Sequence, residues 1–345
     1  MKISPCVSVV IPAFNAADTI ADALKSVLDQ SLGGDKLELV LVNDGSTDQT
    51  RSVSEAVLRK SDIPWRIIDL PNSGPSAARN AGVQVARSGW IQFLDADDLL
   101  APNKLAVQVS NNPRDVAVIY SPWQMLRRHD GEWRPDGTIK QPSIVGDPTL
   151  ALLKAGNFVA MGSQLFRRTW LRRVRGFNEQ RRFIEDVELL LRIAMAGGKF
   201  LRADSEAPLF FYRVHEDSLS HTSRRGFVDG CVDNAKMVEA YWREKSELLS
   251  QEQSRLLTEI YGQGARFYYE HSQAQFRQIY DRLLTIDTKY LPSSPKPLRA
   301  LSRLLGYPRA EALALAYHNV KSRFLKSRLA TIPSSGNERN QQSAQ

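Results

Sequence analysis

Four short apolar runs, separated by stretches with helical spacing, constrain the fold of this chain more than any other feature. Val7-Ser8-Val9-Val10-Ile11-Pro12, Leu37-Glu38-Leu39-Val40-Leu41-Val42, Trp65 to Leu70 and Trp90 to Leu94 read as strands, the first stopped by Pro12. Between them, Ile20, Leu24, Val27 and Leu28 recur at helical spacing. Ser46 and Gln49 stand at capping-box spacing for a second helix, and Ser76 to Ala86 forms a third helical segment. Strand–helix alternation with short polar loops predicts βαβ units and a mainly parallel, doubly wound α/β sheet.

The fourth run ends abruptly in Asp95-Ala96-Asp97-Asp98. Carboxylates crowded at the end of a buried strand repel one another, and a divalent cation removes that conflict. Two carboxylates at i and i+2, just past the carboxyl end of a strand, suit Mg²⁺ or Mn²⁺ with phosphate as co-ligand. That edge is also where open α/β sheets bind ligands. The plainer alternative is that Asp97 or Asp98 caps a helix beginning near Pro102.

No GxGxxG follows the first strand and no GxxxxGK[ST] occurs, which disfavours the usual dinucleotide fold and a P-loop NTPase. Phosphate would instead meet the acidic turn, the helix start after Gly74 and the Arg79 guanidinium. Asp44 ends the second strand, where a carboxylate can accept N–H bonds from a base; a plain turn with a helix cap is the alternative.

Further along, Asp115 to Ser121 reads as a strand, Asp130-Gly131 as a hairpin turn, Pro148 to Ala155 as a short helix and Gln164 to Arg168 as another strand. Glu185 and Asp186 then open a helix whose buried stripe is Val187, Leu190, Leu191 and Ala194. Acidic residues favour helix N-termini for electrostatic reasons alone. A carboxylate there also serves as a general base for an attacking hydroxyl. Pro208 to Arg213 forms a last strand, and His215 behind it is either a polar surface residue or a nitrogen ligand for the same cation.

A chain of 345 residues with net charge +8 and pI near 9.5 suits an anionic partner: nucleotide phosphate, nucleic acid or a membrane surface. Two distant cysteines, Cys6 and Cys231, give neither a disulfide framework nor a zinc ligand set, so a reducing cytosol is the expected compartment. No apolar run approaches the roughly 18–20 residues needed to span a bilayer.

Together these pieces resemble the family 2 glycosyltransferases of GT-A fold. The matching residues are Val9-Val10-Ile11-Pro12-Ala13-Phe14-Asn15, Asn43-Asp44-Gly45-Ser46-Thr47-Asp48, Asn72-Ser73-Gly74-Pro75-Ser76-Ala77-Ala78-Arg79-Asn80, Phe93-Leu94-Asp95-Ala96-Asp97-Asp98, Glu185-Asp186 and Tyr212-Arg213-Val214-His215. Each is short, and their order and spacing over residues 5 to about 222 carry the likeness. The resemblance implies that Pro12, Ala13 and Asn15 line a nucleotide pocket and that Asp44 hydrogen-bonds uracil. It places Arg79 near the base or diphosphate, Asp95 towards the ribose or donor sugar, with Ala96 beside it, and Asp97 on Mn²⁺ or Mg²⁺, helped by His215. Asp186 matches the base of inverting members, and Glu185 would orient the acceptor or support Asp186.

On this reading residues 1–224 are the catalytic domain, 225–330 a helical region that grows basic, and 331–345 a disordered tail. The expected activity is transfer of a hexosyl or N-acetylhexosaminyl group from a UDP-sugar to a saccharide or lipid-linked saccharide, in bacterial surface polysaccharide or glycolipid synthesis. A nucleotidyltransferase-like protein is the rival enzyme, lacking here an early basic loop for a triphosphate. Nucleic-acid binding is set aside, because the basic excess sits in the C-terminal segment without a stacking or base-reading motif. There Leu313, Tyr317, Val320 and Phe324 make an apolar stripe with Arg299, Arg303, Arg309, Lys321, Arg323, Lys326 and Arg328 around it. Such a stripe fits peripheral contact with anionic lipid on the inner face of the plasma membrane. It equally fits packing on the catalytic domain or on a second subunit of a homo-oligomer.

Overall fold

The computed structural model describes residues 6–110, 115–215 and 223–330, with side chains described up to 318. Two compact units divide at Leu256/Leu257. The first begins β1 (Val7–Ala13), α1 (Ile20–Leu28), β2 (Leu37–Asp44), α2 (Thr50–Leu58), β3 (Trp65–Leu70), α3 (Pro75–Val85) and β4 (Trp90–Phe93). It continues with β5 (Leu99–Leu100), α4 (Lys104–Val109), β6 (Val116–Tyr120), β7 (Trp123–His129), β8 (Glu132–Lys140) and α5 (Pro148–Leu153). β9 (Gln164–Arg167), α6 (Arg168–Arg173), α7 (Glu185–Met195), β10 (Lys199–Arg202), β11 (Phe210–Arg213) and α8 (Arg224–Lys245) follow.

Seven strands form the main sheet in the order β10-β6-β9-β4-β1-β2-β3. β1 runs parallel to both β2 and β4, so Ala13, Asp44 and the turn after Phe93 emerge along one carboxyl edge. β9 alone is antiparallel to its neighbours β4 and β6. The core is aliphatic: Val9, Ile11, Leu39 and Leu41 from the sheet meet Ile20, Leu24 and Val27 of α1, all fully buried. α3 lies close on β1 because Gly82 has no side chain; a Cβ there would come within 2.3 Å of Val10 Cγ1.

Pro12 does not stop β1, which runs on to Ala13. Val10 bonds across to β4 through its carbonyl and Leu94 N, so the next residue facing that side is Pro12. The β1–β4 ladder has ended there, and the missing N–H costs nothing. Nor does the capping box form: α2 starts at Thr50, and Ser46 Oγ instead accepts the Asn15 N–H at 3.1 Å. The N-cap is Gln49, which makes no side-chain cap bond, and Asp48, one residue before it, accepts the Thr50 N–H through Oδ1 at 2.9 Å.

A second, four-stranded sheet has the order β5-β11-β7-β8. β7 and β8 form the expected hairpin, with Asp130 and Gly131 at φ of 51° and 85°, a two-residue turn matching strand twist. α8 belongs to the first unit, which therefore extends past the expected boundary at 224. Trp242 Nε1 donates to Thr149 Oγ1 at 2.9 Å in a buried contact, and Gly226 and Gly230 let α8 approach Phe183 and Ile184.

α9 (Gln251–His271) reaches into the second unit, which continues as α10 (Gln273–Ile286), α11 (Lys296–Leu305) and α12 (Tyr307–Ala330). Its interior is aromatic: the Tyr307 ring stands 5.2 Å from Tyr290 and 5.7 Å from Tyr280. Tyr261, Phe267 and Tyr268 are likewise buried, in keeping with packing. No described helix is long and apolar enough to cross a membrane. The expectation for 331–345, and the side chains of Val320, Lys321, Arg323, Phe324, Lys326 and Arg328, lie outside the described residues.

Candidate active site

The carboxyl edge of the sheet gathers the predicted residues through two neighbouring networks. In the first, Asn15 sits just beyond β1 in the left-handed region at φ 47°, a conformation Asn tolerates. Its Oδ1 accepts Thr47 N–H at 2.9 Å, tying the β1 loop to the β2 loop. Asp44, at the end of β2, is nearly buried, and its two oxygens each accept a backbone N–H at 2.8 Å, from Ser73 and from Gly74. The carboxylate thus clamps the loop that opens α3, a structural task beyond the base contact expected of it. Gly74 has φ 90°, and with Pro75 at the first helical position it starts α3.

The second network centres on Arg79. Its guanidinium is buried between two carboxylates, with Nη2 at 2.7 Å from Asp95 Oδ1 and Nη1 at 2.9 Å from Glu185 Oε1. Burial works against the charge, but Asp95 and Glu185 outweigh it and raise the guanidinium pKa. Phe177 lies 5.3 Å from the guanidinium carbon. Asn80 fixes Phe177 in place, donating to its carbonyl at 3.0 Å and accepting its N–H at 2.8 Å. The acidic turn and the start of α7, 90 residues apart in sequence, are therefore joined through one cation.

Asp186 follows Glu185 in the first turn of α7, bonded by its Oδ1 to the Val187 N–H at 2.8 Å. Burial, and then the neighbouring Glu185 charge, push its carboxyl up to about 7. The Val187 N–H and Arg79 pull the other way and lose. A carboxyl poised there alternates between holding and releasing a proton near neutral pH. Glu188, one turn on, is a structural residue paired with Arg192 at 2.8 Å.

Neither Asp97 nor Asp98 caps a helix, since α4 begins at Lys104 with Asn103 before it. Asp98 is buried and accepts the Arg213 N–H at 2.8 Å. Its carboxyl is raised well above the usual range by burial and by Asp97 and Asp95. The Asp97 Oδ2 lies 3.8 Å from His215 Nε2. Burial first, and then the Asp95 charge, raise its carboxyl, with His215 opposing. Ala96, between Asp95 and Asp97 in the sequence, is buried.

Arg213 stands in the sequence only as part of the Tyr212-Arg213-Val214-His215 motif, with no role of its own, and Trp133 carries no site signal. Arg213 is buried at the end of β11; its Nε donates to the Asp97 carbonyl and its Nη1 lies 3.1 Å from Asp22 Oδ2 on α1. Trp133, from β8, sets its ring 5.3 Å from the Arg213 guanidinium and 5.0 Å from His215. An arginine closing an otherwise aromatic strand was the available signal for the first; nothing local marks the second.

A protein-family model described as glycosyl transferase family 2 matches residues 8–175. The succinoglycan biosynthesis protein ExoO of Rhizobium meliloti (strain 1021) is 30% identical over 241 residues, covering 66% of this chain and 66% of that protein. The chain belongs to glycosyl transferase family 2. Other similarity is more local. The minor teichoic acid biosynthesis protein GgaA of Bacillus subtilis (strain 168) is 39% identical over 101 residues, 28% of this chain and 23% of GgaA. This chain thus spans just under two thirds of ExoO and less than a quarter of GgaA. Among solved structures, S. aureus TarS 1-349 in complex with UDP-GlcNAc matches with TM-score 0.63 and 16% identity over 91% of this chain and 92% of that one. That likeness speaks for the fold, the GT-A arrangement of the family.

Proposed function

We propose that this chain is an inverting glycosyltransferase that moves a hexosyl or N-acetylhexosaminyl group from a UDP-sugar to a hydroxyl of a saccharide or lipid-linked saccharide. The observation that carries this reading is the pairing of Asp186, pushed up to about 7, with a salt-bridge relay running from Glu185 through Arg79 to Asp95. In a single displacement the attacking hydroxyl must lose a proton, and the leaving diphosphate needs its charge neutralised and no acid. Asp186 takes that proton. Glu185, held by Arg79, supports the orientation of Asp186, and Asp95 meets the ribose or donor sugar. Pro12, Ala13, Asn15 and the loop clamped by Asp44 frame the nucleotide pocket, with Asp44 offering its remaining lone pairs to the uracil.

Asp97 and His215 fit a divalent cation. A carboxyl raised by burial and by the Asp95 charge is one that a dication returns to its ionised form, and His215 stands beside it. No group of three His, Cys, Asp or Glu ligands occurs among the described residues, so the protein would supply two ligands and the diphosphate others. When bound, Mn²⁺ or Mg²⁺ supplies neutralisation of the departing UDP. The names of ExoO and GgaA, a succinoglycan and a teichoic acid biosynthesis protein, support a place in bacterial surface glycan synthesis.

Asp186→Asn tests the assignment. Transfer should fall by roughly 10²–10⁴, the worth of a general base, while UDP affinity, measured by calorimetry with Mn²⁺, stays within about twofold of the parent if Asp186 contributes little to nucleotide binding. Near-normal turnover in this variant means that Asp186 is not the base. A panel of UDP-, GDP- and dTDP-sugars assayed for slow donor hydrolysis identifies the nucleotide.

A further inference from the structure

The second unit leaves many side chains between Lys296 and His318 exposed, on two successive helices that the transfer chemistry does not use. On α11, Leu298 and Ser302 point inward. Lys296, Arg299 and Arg303 run along one exposed line at i, i+3 and i+7, and Pro297, Ala300 and Leu304 run along the line beside it. Leu304 is 81% exposed and Leu305 40%. Gly306, at φ 79°, turns the chain into α12. There Arg309, Leu313 and Tyr317 recur every fourth residue on one side, with Leu313 50% and Tyr317 70% exposed.

The exposed charge on this stretch has one sign. Glu311, the single acid between 296 and 318, is buried and stands 3.4 Å from Arg266. This stretch therefore carries four exposed cations and four exposed apolar side chains, with no exposed acid between 296 and 318. Such cations repel one another in isolation and gain when set against a surface of negative charge. Apolar side chains left in water gain when covered. An in-plane anionic bilayer meets both demands at once.

We propose that this stretch docks on an anionic lipid membrane. Leu304, Leu305, Leu313 and Tyr317 enter the headgroup boundary, and Lys296, Arg299, Arg303 and Arg309 meet lipid phosphates. The inference stands apart from the transferase reading, because it concerns neither the nucleotide nor the acidic turn. A failed transfer assay leaves it intact.

The full chain is sedimented with neutral phosphatidylcholine vesicles and with vesicles rich in phosphatidylglycerol, in the absence of any sugar nucleotide. Binding should appear only with the anionic vesicles and weaken as salt rises. Arg299→Gln with Arg303→Gln should weaken it by roughly 25-fold, about fivefold per charge. Leu304→Ser with Tyr317→Ser should weaken it by about tenfold or more through lost apolar burial. All four positions are exposed, and circular dichroism should show unchanged helix. Equal recovery in the supernatant with both vesicle types overturns the proposal, as does anionic binding that neither double variant reduces. A chain that ignores lipid but self-associates until Leu304→Ser with Tyr317→Ser separates the copies overturns it in favour of a protein interface.

Discussion

Arg79 joins two carboxylates that serve different halves of the proposed reaction, Asp95 on the donor side and Glu185 beside the base. Its charge reaches Asp186 as one of the two influences holding that carboxyl down against burial and Glu185. With the carboxyl at about 7 in the free chain, kcat/KM should rise with pH through neutrality as the base ionises, then level. Arg79→Lys, which loses the two-pronged grip but keeps a cation, should shift that acid limb towards higher pH. An unmoved limb would mean that Arg79 has no hold on the base. The same group sets a stability trend with the opposite sign to an ordinary salt-bridged carboxylate. Its folded pKa lies above the unfolded value, so the folded state is favoured at low pH and loses that advantage as pH climbs towards about 7. Asp186→Asn should therefore raise Tm more at pH 8 than at pH 4, a trade of stability for chemistry that active sites commonly show.

Among elements, the end of β11 holds the acidic turn in place. Arg213 gives its backbone N–H to Asp98, its Nε to the Asp97 carbonyl and a terminal nitrogen to Asp22 of α1. The turn between β4 and β5 thus takes its shape from a strand more than a hundred residues later. Arg213→Met should lower the affinity for Mn²⁺–UDP by about 10–100-fold, as removal of a supporting partner does at metal sites, with the loss appearing in KM more than in kcat. A fall confined to kcat, or none, would remove Arg213 from that role. This contact shows where sequence reading runs out. β1, β2, β4 and the helices between them were legible because each carries its own periodicity, and the hairpin because Asp130-Gly131 encodes its turn. The acidic pairs Asp95/Asp97 and Glu185/Asp186 were legible because carboxylates at strand and helix ends are few. Their bridging by Arg79, the use of Asp44 as a loop clamp and the gathering of β5, β11, β7 and β8 into a second sheet depend on contacts between distant segments. No local pattern records those.

At the scale of the whole molecule, charge and chemistry are kept in different places. Residues 1–256 carry 33 basic and 32 acidic side chains, whereas residues 257–345 carry 13 and 6, so seven of the eight net positive charges belong to the second unit. The pI near 9.5 therefore describes a nearly neutral catalytic unit followed by a cationic one. Salt should separate their functions. Screening shortens the reach of exposed charges from about 30 Å at 0.01 M to about 3 Å at 1 M, and affects buried pairs such as Arg79 with Asp95 much less. Raising salt across that range should strip the full chain from anionic vesicles, because the proposed attraction to lipid rests on exposed arginines and a lysine. Over the same range, KM for the sugar nucleotide, measured with a soluble acceptor and saturating Mn²⁺, should move by less than about threefold, since the groups proposed to hold it are short-range and largely enclosed. A KM that climbs in step with release from vesicles would show that the cationic unit also gathers the nucleotide, and the division of labour drawn from the charge distribution would be wrong.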